Sequence, residues 1–257
     1  MGLARSISVV IPAYNEEKNL EGAVLDALTA ARAFDDYEVI IVNDGSKDGT
    51  GQVAERLAAE HDHVRVVHHN PNRGFAASYQ TGLKHARMTY FTFVPGDHEV
   101  TPESVKLIFG TIGQADLVVP YHGTPWKRTW MRRLLTFVCT TEINLLFGHR
   151  LKYFQGPVVY PTTLARALPI TTHGFFFCTE MLLNALAMGY SFIEVPLVHQ
   201  ERTYGESKAV KVSNIVNAEQ TILRLWWHLR VRNGVAPRPA SLSVAALGEE
   251  PRPAFDI

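Results

Sequence analysis

Ile7-Ser8-Val9-Val10-Ile11 is short, apolar, rich in β-branched residues and stopped by Pro12. A run of that kind, ended by a breaker, is a strand buried on both faces, the type found in parallel sheets. The chain then turns polar through Ala13-Tyr14-Asn15-Glu16-Glu17. A helix is predicted over 16–33, where Leu20, Val24, Leu28 and Ala31 fall at helical spacing, and strand character returns over 37–42. Strand, helix and strand in that order open a β-α-β series.

The alternation continues with helix 48–60, strand 64–68, helix 75–86, strand 89–94, helix 102–112 and strand 116–119. This predicts an α/β fold, a largely parallel sheet flanked by helices. Ligands of such sheets sit beyond the carboxyl ends of the strands, so the polar loops after Ile11, Val42 and Val94 are expected to meet at one site. Farther on, Trp126, Trp130, Leu134, Phe137, Val138 and Leu145 recur at helical spacing beside Lys127, Arg128, Arg132 and Arg133, a basic amphipathic helix. Residues 153–160 read as extended, 180–188 as helical, and 192–195 as a last strand ended by Pro196. A second amphipathic stretch covers 210–232. Beyond Asn233 the composition shifts to Pro, Ala, Ser and Glu, which divides the chain into one domain over 1–233 and a flexible tail over 234–257.

Composition narrows the function classes. With 46% hydrophobic and 19% charged residues the chain is globular, neither disordered nor fibrous, and 25 Lys plus Arg against 25 Asp plus Glu give no basic surplus for nucleic acid. Only Cys139 and Cys178 occur, without a CxxC pair, and the first residues are too short and polar for a signal segment. Free thiols in a reducing cytoplasm are expected, with the protein soluble or peripheral at the inner face of the membrane. No run of 18 apolar residues is present, so no bilayer-spanning helix is predicted.

Three groups of residues suggest chemistry, and each has a purely structural reading beside the functional one. Pro12 to Glu17, with Asn43-Asp44-Gly45-Ser46-Lys47-Asp48-Gly49-Thr50, form a strand-ending turn and an Asx-type turn with a helix cap. At one sheet edge, however, Asp44 is placed to accept the imide N–H of a base. Asn72-Arg73-Gly74 is followed, after a strand, by Pro95-Gly96-Asp97-His98-Glu99. Strand alternation would put Asp97 and Glu99 on one side and His98 on the other, giving two hard oxygen ligands for Mg²⁺ or Mn²⁺; the structural alternative is a surface acidic turn. Arg202-Thr203-Tyr204-Gly205-Glu206-Ser207-Lys208 reads by itself as a polar turn before a helix, with Ser207 as a cap. The histidines His61, His63, His68 and His69 around one strand read as surface residues rather than metal ligands.

Pro-Ala-Tyr-Asn-Glu, followed about thirty residues later by Asn-Asp-Gly-Ser-Lys-Asp-Gly-Thr, resembles the opening signature of family 2 glycosyltransferases. The similarity points in particular to the dolichyl-phosphate mannose synthase and polyprenyl-phosphate glycosyltransferase branch, and it runs from about residue 6 to about residue 211. It implies a GT-A fold, Rossmann-like and single-domain, with amphipathic C-terminal helices. It implies a UDP- or GDP-hexose donor bound by Pro12, Tyr14, Glu16, Asp44, Arg73, Gly74 and Asp97, and a metal on Asp97 and Glu99. Arg202, Ser207 and Lys208 match an Arg-x-x-Gly-x-Ser-Lys segment that holds phosphate, and Arg128 and Arg132 add basic charge for a lipid-phosphate acceptor. Asp97, Glu180 and Arg202 are then the catalytic candidates. Peripheral membrane contact and an oligomer are compatible with this reading.

The chain departs from the family pattern in two places. Pro95 stands where the first Asp of Asp-x-Asp is expected, with Glu99 in place of a following Gln. Tyr153-Phe154-Gln155-Gly156-Pro157 stands where many relatives carry Asp-x-x-Ser-Gly. The predicted reaction is inverting hexosyl transfer to a polyprenyl phosphate, which needs no strong base because the acceptor is already anionic, leaving Glu180 as a positioning residue or a base. A hydroxyl acceptor, with Glu180 as base, and a non-catalytic nucleotide-sugar binder are the alternatives. A nucleotidyltransferase is disfavoured, because Pro12-Ala13-Tyr14-Asn15 lacks a Gly-rich basic phosphate loop.

Overall fold

The computed structural model describes residues 5–123, 130–172, 174–200 and 212–232, and of Arg132 and residues 212–218 the backbone only. Elements follow in the order β1 (Ser6–Ala13), α1 (Leu20–Ala31), β2 (Asp36–Asn43), α2 (Thr50–Glu60), β3 (Val64–His68), α3 (Phe75–His85), β4 (Tyr90–Phe93) and α4 (Pro102–Gly110). Then come β5 (Leu117–His122), α5 (Trp130–Phe147), β6 (Tyr160–Pro161), α6 (Thr162–Ala167), α7 (Phe177–Ala187), β7 (Phe192–Leu197) and α8 (Val212–Trp226), which runs on as a π-helical turn, Trp227–Val231.

The main sheet has the order β3-β2-β1-β4-β6, parallel except for the antiparallel β6, and β5 with β7 form a second parallel pair. All eight residues of the central β1 are buried. Its successive side chains feed opposite layers: Val10 packs with α3 and α7, while Ile7, Val9 and Ile11 pack with α1 and α4. Each such aliphatic side chain contributes about 1.5–3 kcal/mol by burial. Helix α3 can lie directly on β1 because Gly82 faces Val10, where an added Cβ would stand 2.4 Å from a valine methyl.

Element bounds differ from the sequence reading where polar side chains intervene. Helix α1 starts at Leu20 rather than 16, because the Glu16 N–H is taken by Thr50 Oγ1 at 2.8 Å. Helix α2 starts at Thr50, whose N–H donates to Asp48 Oδ1. The predicted extended stretch 153–160 shrinks to Val159, bridged to Val118, and the two-residue β6. Pro196 does not end β7, which continues to Leu197 paired with His122. β7 pairs on one side only, so the missing proline N–H costs no ladder bond there. Among the described residues no helix is long and apolar enough to cross a membrane. Residues 233–257, which include the tail predicted over 234–257, lie outside the described residues.

Candidate active site

The loops after β1, β2, β3 and β4 meet at the carboxyl edge of the sheet, as expected for parallel strands, and hydrogen bonds zip them together. The Asn15 N–H donates to Ser46 Oγ at 3.0 Å, and Asn15 Oδ1 accepts the Lys47 N–H at 2.8 Å. Glu17 accepts the Gly49 N–H, and Glu16 accepts the Asn19 side-chain amide at 2.7 Å. Pro12 contributes its carbonyl, which accepts the Gly96 N–H at 3.3 Å and so joins the first loop to the one carrying Asp97. Tyr14 is exposed at this edge.

Asp44 is the hub. Only 4% exposed, it accepts the Arg73 N–H on Oδ1 and the Gly74 N–H on Oδ2, both at 2.8 Å. The buried His69 places Nδ1 2.7 Å from Oδ1 of Asp44 and Nε2 2.9 Å from Thr81 Oγ1. The carboxylate, which also accepts from two backbone N–H groups, is the acceptor for Nδ1–H. Gly45 has φ +68° and lies so close to Asn72 that a Cβ would approach its backbone nitrogen to 2.6 Å. The Arg73 side chain is exposed above this cluster. His69 is therefore not the surface residue expected from the sequence; burial against Asp44 makes it part of the site. His68 does stay exposed, paired with Glu55 at 2.7 Å.

Asp97 and Glu99 follow β4 in the loop expected after Val94, which forms a turn, so the alternation of a strand does not place them. The Glu99 N–H donates to Asp97 Oδ1, and His98, at φ +55°, points its ring to Asp26 on α1, with Nε2 2.8 Å from Oδ2. His98 is thus diverted from the carboxylates, by turn geometry instead of strand alternation. Both carboxylates are half-buried. Among the described residues no group of three His, Cys, Asp or Glu side chains is placed to hold a metal. Two hard carboxylates nonetheless suit Mg²⁺ or Mn²⁺ of the kind that completes its shell with substrate phosphates and water, so the residues fit the ion.

The segment after β7 closes over this turn. The Gln200 N–H donates to the Glu99 carbonyl at 2.8 Å, the Gln200 side-chain amide to the His98 carbonyl at 2.7 Å, and His199 bridges Val100. His199 Nε2 is 2.8 Å from His122 Nδ1, and the His122 ring packs on Tyr153 at 4.3 Å. The sequence reading assigned nothing to His122, His199 or Gln200; their only signal was a position at the ends of β5 and β7. Arg128, Arg202, Ser207 and Lys208 lie outside the described residues, and of Arg132 only a backbone position on α5 is known.

Glu180, 2% exposed, accepts Thr171 N–H and Thr172 N–H at 2.9 Å and the Thr171 hydroxyl at 2.5 Å. Arg224 of α8 donates to both threonine hydroxyls and lies 3.9 Å from the same carboxylate. Nearby, Phe175, 56% exposed, packs on Phe75 at 4.7 Å, directly after Gly74.

A model of Glycosyl transferase family 2 matches residues 8–187. Among curated relatives, polyprenol monophosphomannose synthase of Mycolicibacterium smegmatis is 29% identical over 87% of this chain and 87% of its own length. Undecaprenyl-phosphate mannosyltransferase of Micrococcus luteus is 28% identical over 89% of this chain and 99% of its own. Glycosyltransferase AglD of Haloferax volcanii is 29% identical over 90% of this chain, which spans only 39% of that longer protein. Among solved structures, glucosyl-3-phosphoglycerate synthase from Mycobacterium tuberculosis, in complex with Mn²⁺, UDP and phosphoglyceric acid, superposes with a TM-score of 0.64 at 17% identity, covering 90% of this chain and 80% of that one. The S. aureus TarS 1-349 complex with UDP-GlcNAc superposes at 0.60 and 17% identity, covering 86% and 66%. The family match spans well over half of the chain, and the sheet order and edge loops agree with it: the protein belongs to glycosyl transferase family 2 and has the GT-A fold.

Proposed function

We propose that this glycosyltransferase moves a hexose from a nucleoside-diphosphate sugar to a polyprenyl phosphate, with inversion at the anomeric carbon. The observation that carries the reading is the junction of Asp44, Gly74 and the Asp97–Glu99 turn at one sheet edge, in a chain whose relatives are named for polyprenyl-phosphate sugar transfer. Asp44 receives the base, and the Gly74 backbone, free of any side chain, leaves room for the donor. Asp97 and Glu99 would hold Mg²⁺ or Mn²⁺, which when bound neutralises the departing diphosphate.

An acceptor phosphate oxygen attacks the anomeric carbon while the bond to the diphosphate breaks, the electron pair leaving with the nucleotide. No proton has to be removed from an anionic phosphate, which agrees with a Glu180 committed to Thr171 and Thr172. Arg202, Ser207 and Lys208 are proposed, from the sequence alone, to hold phosphate. The acceptor arrives from a membrane against which α5 and the end of α8 rest. Trp130, Phe137 and Leu145 on α5 are 70%, 68% and 78% exposed, and Trp227 beyond α8 is 55% exposed. Such a surface, with Arg133 beside it, suits peripheral binding at the inner leaflet rather than insertion across the bilayer.

The test is nucleoside diphosphate release from UDP- and GDP-hexoses, with and without Mn²⁺ or Mg²⁺, and with and without polyprenyl phosphate in vesicles. Release that needs both metal and lipid phosphate is expected. Release stimulated instead by a sugar hydroxyl, or donor binding with no transfer, would replace this reading.

A further inference from the structure

We infer that His98 and Asp26 are positioning residues for the divalent cation: the pair fastens the Asp97–Glu99 turn to α1 and so holds the two carboxylates in the arrangement that binds metal. The inference rests on the proposed role of Asp97 and Glu99 as metal ligands. The form of the turn depends on His98, whose φ of +55° lies in the left-handed region that residues other than glycine uncommonly adopt. This reversal returns the Glu99 N–H to Asp97 Oδ1 at 3.2 Å and brings the two carboxylate-bearing residues together. A residue keeps such a conformation only where its surroundings determine it.

Helix α1 supplies those surroundings. Gly22 and Asp26 are four residues apart and share one face of the helix. The imidazole lies against Gly22, where an added Cβ would stand 2.5 Å from Cε1 and 2.6 Å from Nδ1. One turn farther on, Asp26 Oδ2 is 2.8 Å from Nε2, with the two side chains only 22% and 29% exposed. Glycine is a poor helix former, so its presence in α1 is explained by the seat it gives the ring. From the other side Gln200 bonds the His98 and Glu99 carbonyls, which fixes the main chain and leaves the ring as the side-chain attachment. The same helix begins at the loop whose Glu16 N–H is taken by Thr50, so the pair joins the metal turn to the first edge loop. Preset geometry carries more weight in this chain because Pro95 stands where a further carboxylate was expected. With two charged oxygens for a cation, affinity depends on how well they are held in place before it arrives.

The experiment is titration of Mn²⁺ into the full chain, with the free ion read by electron paramagnetic resonance, alone and with UDP or GDP present. Wild type is compared with Asp26→Ala, His98→Asn and the double variant, and melting temperatures are measured beside them. Asp26→Ala removes the acceptor while placing a better helix former in α1. His98→Asn keeps a residue that tolerates positive φ but is too short to reach Asp26. Each single variant is expected to bind Mn²⁺ about threefold to tenfold more weakly, the range for one partly exposed pair. The double variant should be no weaker than the weaker single, because both changes remove one interaction. Nucleoside diphosphate release should recover as Mn²⁺ is raised, a change in the metal constant and not in the maximal rate. Single variants within about twofold of wild type, or losses that add in the double variant, overturn the inference and leave the metal reading intact. A wild type that binds no Mn²⁺ under any of these conditions overturns the metal reading and the inference with it. Should His98→Asn fail to fold, Asp26→Ala decides alone.

Discussion

The Asp44 carboxylate holds the Gly74 N–H at 2.8 Å, so one buried side chain fixes the loop after β2 to the start of α3. The donor contact proposed for Asp44 and local stability thereby depend on the same group. Asp44→Ala is expected to strip acceptors from the Arg73 and Gly74 N–H groups, costing about 2–3 kcal/mol in urea denaturation and at least about tenfold in nucleotide affinity. A variant that loses affinity with no loss of stability would show that the carboxylate is not the structural hub described.

Asp97→Asn and Glu99→Gln separate metal use from folding. Both side chains are half-buried in a turn, so the melting temperature should shift little. Metal-dependent release of nucleoside diphosphate should fall by about 100-fold or more in each, since one of only two charged oxygen ligands is neutralised. Chelation with EDTA should abolish the wild-type reaction and leave the variants' residual rate unchanged. Full activity of Asp97→Asn in EDTA would remove the carboxylates from the reaction.

Glu180→Gln can keep its carbonyl oxygen on the Thr171 and Thr172 N–H groups, which both donate to Oε2, and puts the amide N–H₂ against the Thr171 hydroxyl, which donated to Oε1. The expected cost is about 1–2 kcal/mol of stability, because one buried charge-assisted hydrogen bond is lost. The residual folded enzyme should keep the wild-type pH profile of turnover. A turnover loss of about 100-fold or more with stability intact, and loss of one limb of the pH profile, would instead identify Glu180 as a general base and favour a hydroxyl acceptor.

Glu142 on α5 provides a pH test of helix packing. Its carboxyl is raised above the usual range by burial, by the charge of Glu219 on α8 and by a hydrogen bond to it. The folded chain thus holds a proton that the unfolded chain would release. This stabilisation is fully present below the ordinary carboxylate pKa and is lost as pH rises through the raised value. Glu142→Gln should therefore raise the melting temperature at pH 7–8 relative to wild type and make no difference near pH 4. A variant less stable than wild type at pH 7–8 would mean that the two carboxylates do not oppose each other.

The order of strands and helices was legible in the sequence because each element carries its own period. The β-branched run at Ile7 to Ile11 and the helical spacing of Leu20, Val24 and Leu28 depend on neighbours within one turn or one pleat. The two opening motifs were expected at one edge because parallel strands deliver their loops to one side, and there they are joined. Element bounds were less legible. The start of α1 is set by Thr50, 34 residues from Glu16, and the length of β7 by its pairing with β5.

By itself, then, the sequence determined the α/β class, the family and the polar loops that meet at one sheet edge, all of which rest on local periodicity and contiguous motifs. Tertiary structure decided what particular side chains do there. His69 reads as an ordinary surface histidine until β3 and β2 bring it to Asp44, and Glu180, a positioning residue or a base by sequence, gains Thr171 and Thr172 as partners only in the fold. His122 and His199 meet only because β5 pairs with β7. Hydrogen bonds between residues far apart in the chain leave no periodic trace, so the state of each polar group could be assigned only once its partner had been brought within about 3 Å.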